Sequence, residues 1–191
     1  MRITRYKVIL ASASPRRQEL LSGIDLEYEL RTLPDVDESF PDDLPHEEVA
    51  EYLARKKASV YHDALKEDEL LITADTVVLI NGVILGKPAD RTDALRMLRM
   101  LSGARHRVVT GVCLTSLNKC VAFSDTAWVT FGDFTDEELD YYLDQYSPMD
   151  KAGAYGVQEW IGYVGVKRIE GSYFNVMGFP IYQVYQELKQ F

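Results

Sequence analysis

From Leu70 to Ile80 the chain runs Leu-Leu-Ile-Thr-Ala-Asp-Thr-Val-Val-Leu-Ile, an apolar, β-branched stretch long enough to cross a sheet. It predicts a strand buried on both faces, and Asn81-Gly82 after it predicts a tight hairpin into Val83-Ile84-Leu85. Two further strand-like runs, His106 to Leu117 and Cys120 to Phe131, meet near Asn118-Lys119. Shorter strands are expected at Lys7 to Ala11 and Tyr163 to Ile169.

Helical patterns alternate with these runs. Ser14 is placed as a cap, Pro15 in the first turn and Gly23 as the stop of a short helix. His46 to about Leu65 has Val49, Leu53, Val60 and Ala64 on its apolar side. Asp90 to Ser102 buries Leu95, Leu98 and Leu101, with Gly103 at its end. Thr135 with Glu138 forms a capping-box signal for a helix through about Gln145, and Ile181 to Lys189 closes the pattern. Leu33 to Pro45 is acidic and proline-rich, and Pro148 to Gly162 is glycine-interrupted; both read as loops. Hairpins mixed with strand-helix crossovers indicate an α/β protein with a mixed sheet, in one domain or two tightly joined lobes.

Composition narrows the function. Thirty acidic against twenty-one basic residues give a net charge of -9, without the basic footprint of a duplex-binding protein. No apolar run reaches the length of a membrane span or export signal, so a cytoplasmic protein is expected. Cys113 and Cys120 are too few for a disulfide framework; they read as packing residues that can face each other across a turn. Trp128 and Trp160 read as core residues.

Six places carry chemistry. Ser12-Ala13-Ser14-Pro15-Arg16-Arg17 leads from a strand into a helix N-terminus, where free N–H groups and hydroxyls receive phosphate. Arg16 and Arg17 oppose the helix dipole there, which makes sense if an anion joins them. Asp75 stands inside the apolar run, where a carboxylate is costly without a partner, a metal or a function. It reads as a metal ligand, a water-activating base or both. Asp37 and Glu38 in the acidic loop are of the kind that holds magnesium beside substrate phosphates. Lys57 falls on the apolar border of its helix, and Lys87 follows the hairpin in a segment that lacks the P-loop pattern. In Lys151-Ala152-Gly153-Ala154-Tyr155-Gly156-Val157-Gln158, small residues allow close backbone approach and Gln158 offers a donor and an acceptor to a base edge.

In order along nearly the whole chain, these segments resemble the Maf family of nucleotide pyrophosphatases. Leu85-Gly86-Lys87-Pro88, Leu101-Ser102-Gly103, His106 with Thr110-Gly111-Val112, Gly171-Ser172-Tyr173 with Asn175-Val176, and Gly178-Phe179-Pro180 complete the match. The resemblance implies an elongated two-lobed mixed-sheet α/β fold with a central cleft, similar to inosine triphosphate pyrophosphatases. It further implies a homodimer, a divalent cation (Mg2+ or Mn2+), and cleavage between the α and β phosphates of a nucleotide. Asp75 is implied as the catalytic carboxylate. Arg16, Lys57 and Lys87 are implied at the phosphates with Ser12 and Arg17 in support, and Glu38, or alternatively Asp37, is implied at the metal. Arg16, Thr76 and Gln158 match the family branch that acts on dTTP and UTP. Glu159-Trp160-Ile161-Gly162 is bulkier than the glycine-rich continuation usual after the glutamine, a departure that bears on the base pocket. A 7-methylated or otherwise modified nucleotide as substrate, and a non-enzymatic nucleotide-responsive regulator of cell division, are the alternatives.

Overall fold

The chain is described by a computed structural model covering residues 3–32 and 36–191. Leu33, Pro34 and Asp35, which open the expected acidic loop, lie outside the described residues. In chain order the elements are β1 Lys7–Leu10, α1 Pro15–Ser22, β2 Tyr28–Leu30, α2 Val49–Tyr61, β3 Glu69–Ile80, β4 Val83–Leu85 and α3 Arg91–Leu101. There follow β5 Arg105–Thr115, β6 Cys120–Phe131, α4 Asp136–Tyr146, α5 Trp160–Gly165, β7 Val166–Glu170, α6 Tyr173–Val176 and α7 Ile181–Leu188. The strands hydrogen-bond in the order β2-β1-β3-β5-β6-β7, with β4 on β3. β1 is parallel to β2 and β3, whereas β3–β4 and β6–β7 are antiparallel, so the sheet is mixed and unclosed.

The described residues group into two compact units. The first holds the chain up to Asp75, Thr110–Asp125 and Gly178–Phe191; the second holds Thr76–Val109 and Thr126–Met177.

In the first unit, Ile9, Leu71, Cys113, Ala54, Ala58, Tyr61 and Leu65 form a buried cluster. Small residues on α2 let the helix sit close to the strands. A Cβ on Gly111 would come within 2.2 Å of the backbone at Ala50 and Glu51, so only glycine allows that approach. The Thr73 hydroxyl donates to the Ala54 carbonyl at 2.7 Å and fixes the helix a second time. The buried stripe of α2 is Val49, Ala50, Leu53, Ala54, Ala58 and Tyr61, so Val49 and Leu53 lie inside as expected while Val60 and Ala64 are exposed. The C-terminal half of the stripe shifts to Ala54, Ala58 and Tyr61, where small residues let the helix approach the strands. Arg31 grips the buried Glu69 with two hydrogen bonds, 2.7 and 2.9 Å, and this holds the Glu69 carboxyl down at about 2. Cys113 and Cys120 do face each other, as free thiols with sulfurs 3.5 Å apart; Cys113 is buried and Cys120 exposed.

In the second unit the β3–β4 hairpin turns on Asn81 and Gly82, both at positive φ (49° and 75°), as a two-residue primed turn requires. Asp90 caps α3 by accepting from the Asp93 N–H, and the Thr135–Glu138 capping box on α4 has both of its bonds. Leu95 is only partly buried; Ala94, Met97, Leu98 and Leu101 make the inner face of α3. Residues expected to begin a strand at Tyr163 belong to α5, and β7 begins at Val166. Two glycines allow this compact helix. A Cβ on Gly162 would lie 1.8 Å from the Val157 carbonyl oxygen, and one on Gly165 1.9 Å from the Phe134 ring. Trp128 is half-buried rather than a core residue, with the Arg105 and Arg107 guanidiniums 4.1 and 5.4 Å from its ring centre. Trp160 packs edge-on against Tyr141.

Candidate active site

The N-terminal junction of α1 is held by Arg17. Its Nε donates to the Gly178 carbonyl at 2.9 Å, and its Nη1 to the Ala74 carbonyl at 3.0 Å and the Ser12 hydroxyl at 3.2 Å. Gly178 has φ 107°, which a residue with a side chain rarely adopts, and so presents its carbonyl to the guanidinium. Burial pulls Arg17 down to about 10, with Asp75 opposing the shift, so it remains a cation at neutral pH. Arg17 therefore ties Ser12, β3 and the Gly178 turn together. Ser14 occupies the N-cap position without a side-chain capping bond; its N–H donates to Ser12 Oγ instead. No acidic residue occupies the first turn of α1, where Arg16 stands partly buried.

Asp75 ends the first chain segment of the first unit, near the middle of β3, where apolar neighbours leave its side chain 13% exposed. Lys57 projects from α2 with its side chain 15% exposed. Its Nζ lies 2.6 Å from Asp75 Oδ1 and 2.8 Å from Glu38 Oε1. Two carboxylates from a strand and a loop thus converge on one point. Asp37 is engaged elsewhere: Lys56 Nζ reaches its Oδ2 at 2.7 Å, and the Ser39 N–H and hydroxyl both donate to it. These bonds, Lys56 first, hold the Asp37 carboxyl far below the usual range. Adjacent lysines thus separate adjacent acids, and it is Glu38 that is brought to Asp75.

Thr76, Lys87 and Gln158 belong to the second unit. Lys87 is exposed after β4, and the preceding Gly86 carbonyl accepts from the Gly153 N–H at 3.0 Å. That bond joins the Lys87 turn to the segment carrying Gln158. Gly153 has φ 69°, and a Cβ there would press on Val78 at 3.0 Å. Gln158 Oε1 is a buried acceptor without a hydrogen-bond partner among the described residues. Sequence reasoning missed what supports this segment. His106 Nε2 and the Tyr155 hydroxyl are 2.8 Å apart in a buried cluster with Phe131, and burial alone pulls His106 down to about 4. Tyr142 and Glu159 form a second support. Among the described residues, no group of three or more His, Cys, Asp or Glu side chains is disposed around a common metal position. No helix among them is long and apolar enough to cross a membrane.

Ser12, Arg17, Glu38, Lys57 and Asp75 thus bring a hydroxyl, two cations and two carboxylates to the first unit of an α/β fold. The chain belongs to the Maf family: the family described as Maf-like protein matches residues 7–191. It is 54% identical over 188 residues to the dTTP/UTP pyrophosphatase of Phocaeicola vulgatus, covering 98% of this chain and 97% of that one. It is also 54% identical over 191 residues to the dTTP/UTP pyrophosphatase of Porphyromonas gingivalis strain W83, covering 99% and 96%. Among solved structures it is similar to the Ham1 protein of Staphylococcus aureus, at 15% identity and TM-score 0.54 over 95% of this chain and 99% of that one. A HAM1 protein from Coxiella burnetii gives 15% identity and TM-score 0.52 over 97% and 100%. At that identity the likeness shows the fold alone.

Proposed function

We propose that this chain is a dTTP/UTP pyrophosphatase, converting a nucleoside triphosphate and water to the monophosphate and pyrophosphate. The observation that carries the reading is the convergence of Asp75 and Glu38 on the Lys57 ammonium. The relatives named for that activity, more than half identical over nearly the full length, support it.

Asp75 orients the attacking water at the α phosphorus and accepts its proton as the phosphorus–oxygen bond to the leaving pyrophosphate breaks. Its mostly buried position on a rigid strand favours a fixed direction of attack. Lys57, Arg16 and Lys87 neutralise the phosphates, while Arg17 and Ser12 keep the α1 junction in place. Asp75 and Glu38 offer hard oxygen donors at one point, which fits a divalent cation completed by phosphate and water oxygens. When bound, Mg2+ or Mn2+ supplies charge stabilisation to the transferring phosphoryl group. With a cation held there, Lys57 would be left to supply its charge to the phosphates. Thr76 and Gln158 select the base, with Arg16 in support.

Anion-exchange separation of the products from UTP and dTTP tests the reaction. Monophosphate and pyrophosphate are expected. Diphosphate with orthophosphate as first products rejects the proposed bond, and no turnover of any triphosphate rejects an enzymatic role. The homodimer and the cytoplasmic location implied by the resemblance belong to the same proposal. Sedimentation at twice the chain mass is expected, and a single-chain mass rejects the dimer.

A further inference from the structure

Residues 156–159 form a turn closed by the Glu159 N–H donating to the Gly156 carbonyl at 3.0 Å, and Gln158 is one of its two central residues. Both ends of the turn are tied to one buried phenol. The Tyr142 hydroxyl, on the inner face of α4, donates to Glu159 Oε2 and accepts from the Gly156 N–H at 3.0 Å. The other Glu159 oxygen lies 3.1 Å from Lys151 Nζ, and Lys151 itself is only 8% exposed. Lys151 also reaches Asp150 at 2.8 Å. Gly156 lets this cluster close on the backbone: a Cβ there would lie 2.8 Å from Glu159 Cδ and 3.1 Å from Lys151 Cε.

The sequence departs from the family's glycine-rich pattern at Glu159, and the structure gives that residue a task. We propose that Tyr142, Glu159 and Lys151 are positioning residues that hold the Gln158 turn and thereby set discrimination between uracil or thymine and cytosine. The inference rests on the reading of Gln158 as the base-selecting residue. Gln158 Oε1 is a buried acceptor lacking a protein partner. Uracil and thymine present an N3–H donor to such an acceptor, whereas cytosine presents a lone pair at N3 and leaves an oxygen facing that position unsatisfied. A buried unsatisfied acceptor separates the two bases strongly only if the amide cannot turn or shift to escape. The clamp at Gly156 and Glu159 fixes the backbone that carries the amide, so the amide cannot shift away with its turn.

The test compares kcat/KM for UTP and CTP in the full-length protein. Tyr142→Phe keeps the ring and removes the hydroxyl; Glu159→Ala removes the carboxylate. Each is expected to lower the UTP-to-CTP ratio about tenfold, the size of one well-made hydrogen bond. Most of the change should lie in KM, with kcat for UTP retained within about threefold. Glu159→Gln keeps an acceptor for Tyr142 and is expected to restore most of the ratio. In the double variant Tyr142→Phe with Gln158→Ala, the ratio should fall no further than in Gln158→Ala alone. If Tyr142→Phe and Glu159→Ala both keep the wild-type ratio while Gln158→Ala lowers it, the positioning role is overturned and Gln158 stands. If Gln158→Ala leaves the ratio unchanged, the underlying reading fails and the proposal with it. Circular dichroism of each variant separates misfolding from a local effect, and Glu159→Ala serves if Tyr142→Phe does not fold.

Discussion

Around Asp75 the polar side chains stand on a strand, a helix and one loop, and they are joined to one another by charge. Around Gln158 they stand on a turn, and a buried phenol, a carboxylate and an ammonium hold the backbone instead. Lys57 bridges two acids, one of them nearly half exposed, so the partners exchange readily when phosphates or a cation arrive. The Gln158 turn has both ends tied to Tyr142, whose burial and bond to Glu159 push its hydroxyl pKa well up and keep it a neutral donor. The contrast suits the two tasks. Phosphate chemistry needs charge that can be redistributed, whereas choosing a base needs an amide that stays in place.

The sharpest way to break the first half of this comparison is Asp75→Asn, which keeps size and removes charge. It is expected to lower kcat by about 100- to 10,000-fold, the usual cost of losing a general base, with the fold intact by circular dichroism. A magnesium titration sharpens it: rescue at high magnesium assigns a ligand role, and a persistent defect with normal nucleotide binding assigns the base. Turnover near that of the wild type removes Asp75 from the mechanism.

Lys57→Met comes next. It leaves Asp75 and Glu38 without their shared cation while keeping an unbranched apolar stem. A loss of about 10- to 100-fold in kcat/KM is expected, roughly one charge-assisted contact to phosphate. Unchanged kinetics would make Lys57 a structural pair only. Gln158→Ala is the matching change in the second unit. About a tenfold fall in the UTP-to-CTP ratio is expected, with kcat for UTP little altered. A fall in kcat equal for both bases would merge the two tasks that the comparison separates.

Much of this was legible in the sequence, and the failures have a common cause. The long strands, the Asn81-Gly82 hairpin and the Thr135 capping box depend on local chemistry and fall where expected. Asp75 stood out because a charge in an apolar run needs a reason; Lys57, at the border of an amphipathic helix, says little alone and enters the site only through the family resemblance. That Lys57 would reach both Asp75 and Glu38 depends on three segments far apart in the chain, and spacing cannot show it. β2 was missed because Tyr28-Glu29-Leu30 is short and carries a charge that Lys7 and Arg31 partner. Tyr163-Val164-Gly165 reads as a strand by propensity, and tertiary contacts at Gly162 and Gly165 override it. Glu159 reads only as part of a bulkier continuation beside the base pocket; the fold alone brings Tyr142 and Lys151 to it.

The smallest effect concerns how firmly the base-side segment is held, and it is seen in stability rather than turnover. His106 bonds Tyr155 of that segment, and its other ring nitrogen has no hydrogen-bond partner among the described residues. Burial lowers its pKa to about 4, against an ordinary value of 6.5. The neutral ring is therefore favoured by folding, and the unfolded chain binds the extra proton between those two values. This contribution is fully present above the ordinary histidine range and is lost as pH falls through it toward about 4. By pH 6 the loss is about 1 kcal/mol, which urea unfolding at pH 8 and pH 6 resolves. His106→Gln retains a polar contact for Tyr155 and removes the titration, so its stability should change less between the two pH values than that of the wild type. An equal loss in both proteins would place the titrating group elsewhere.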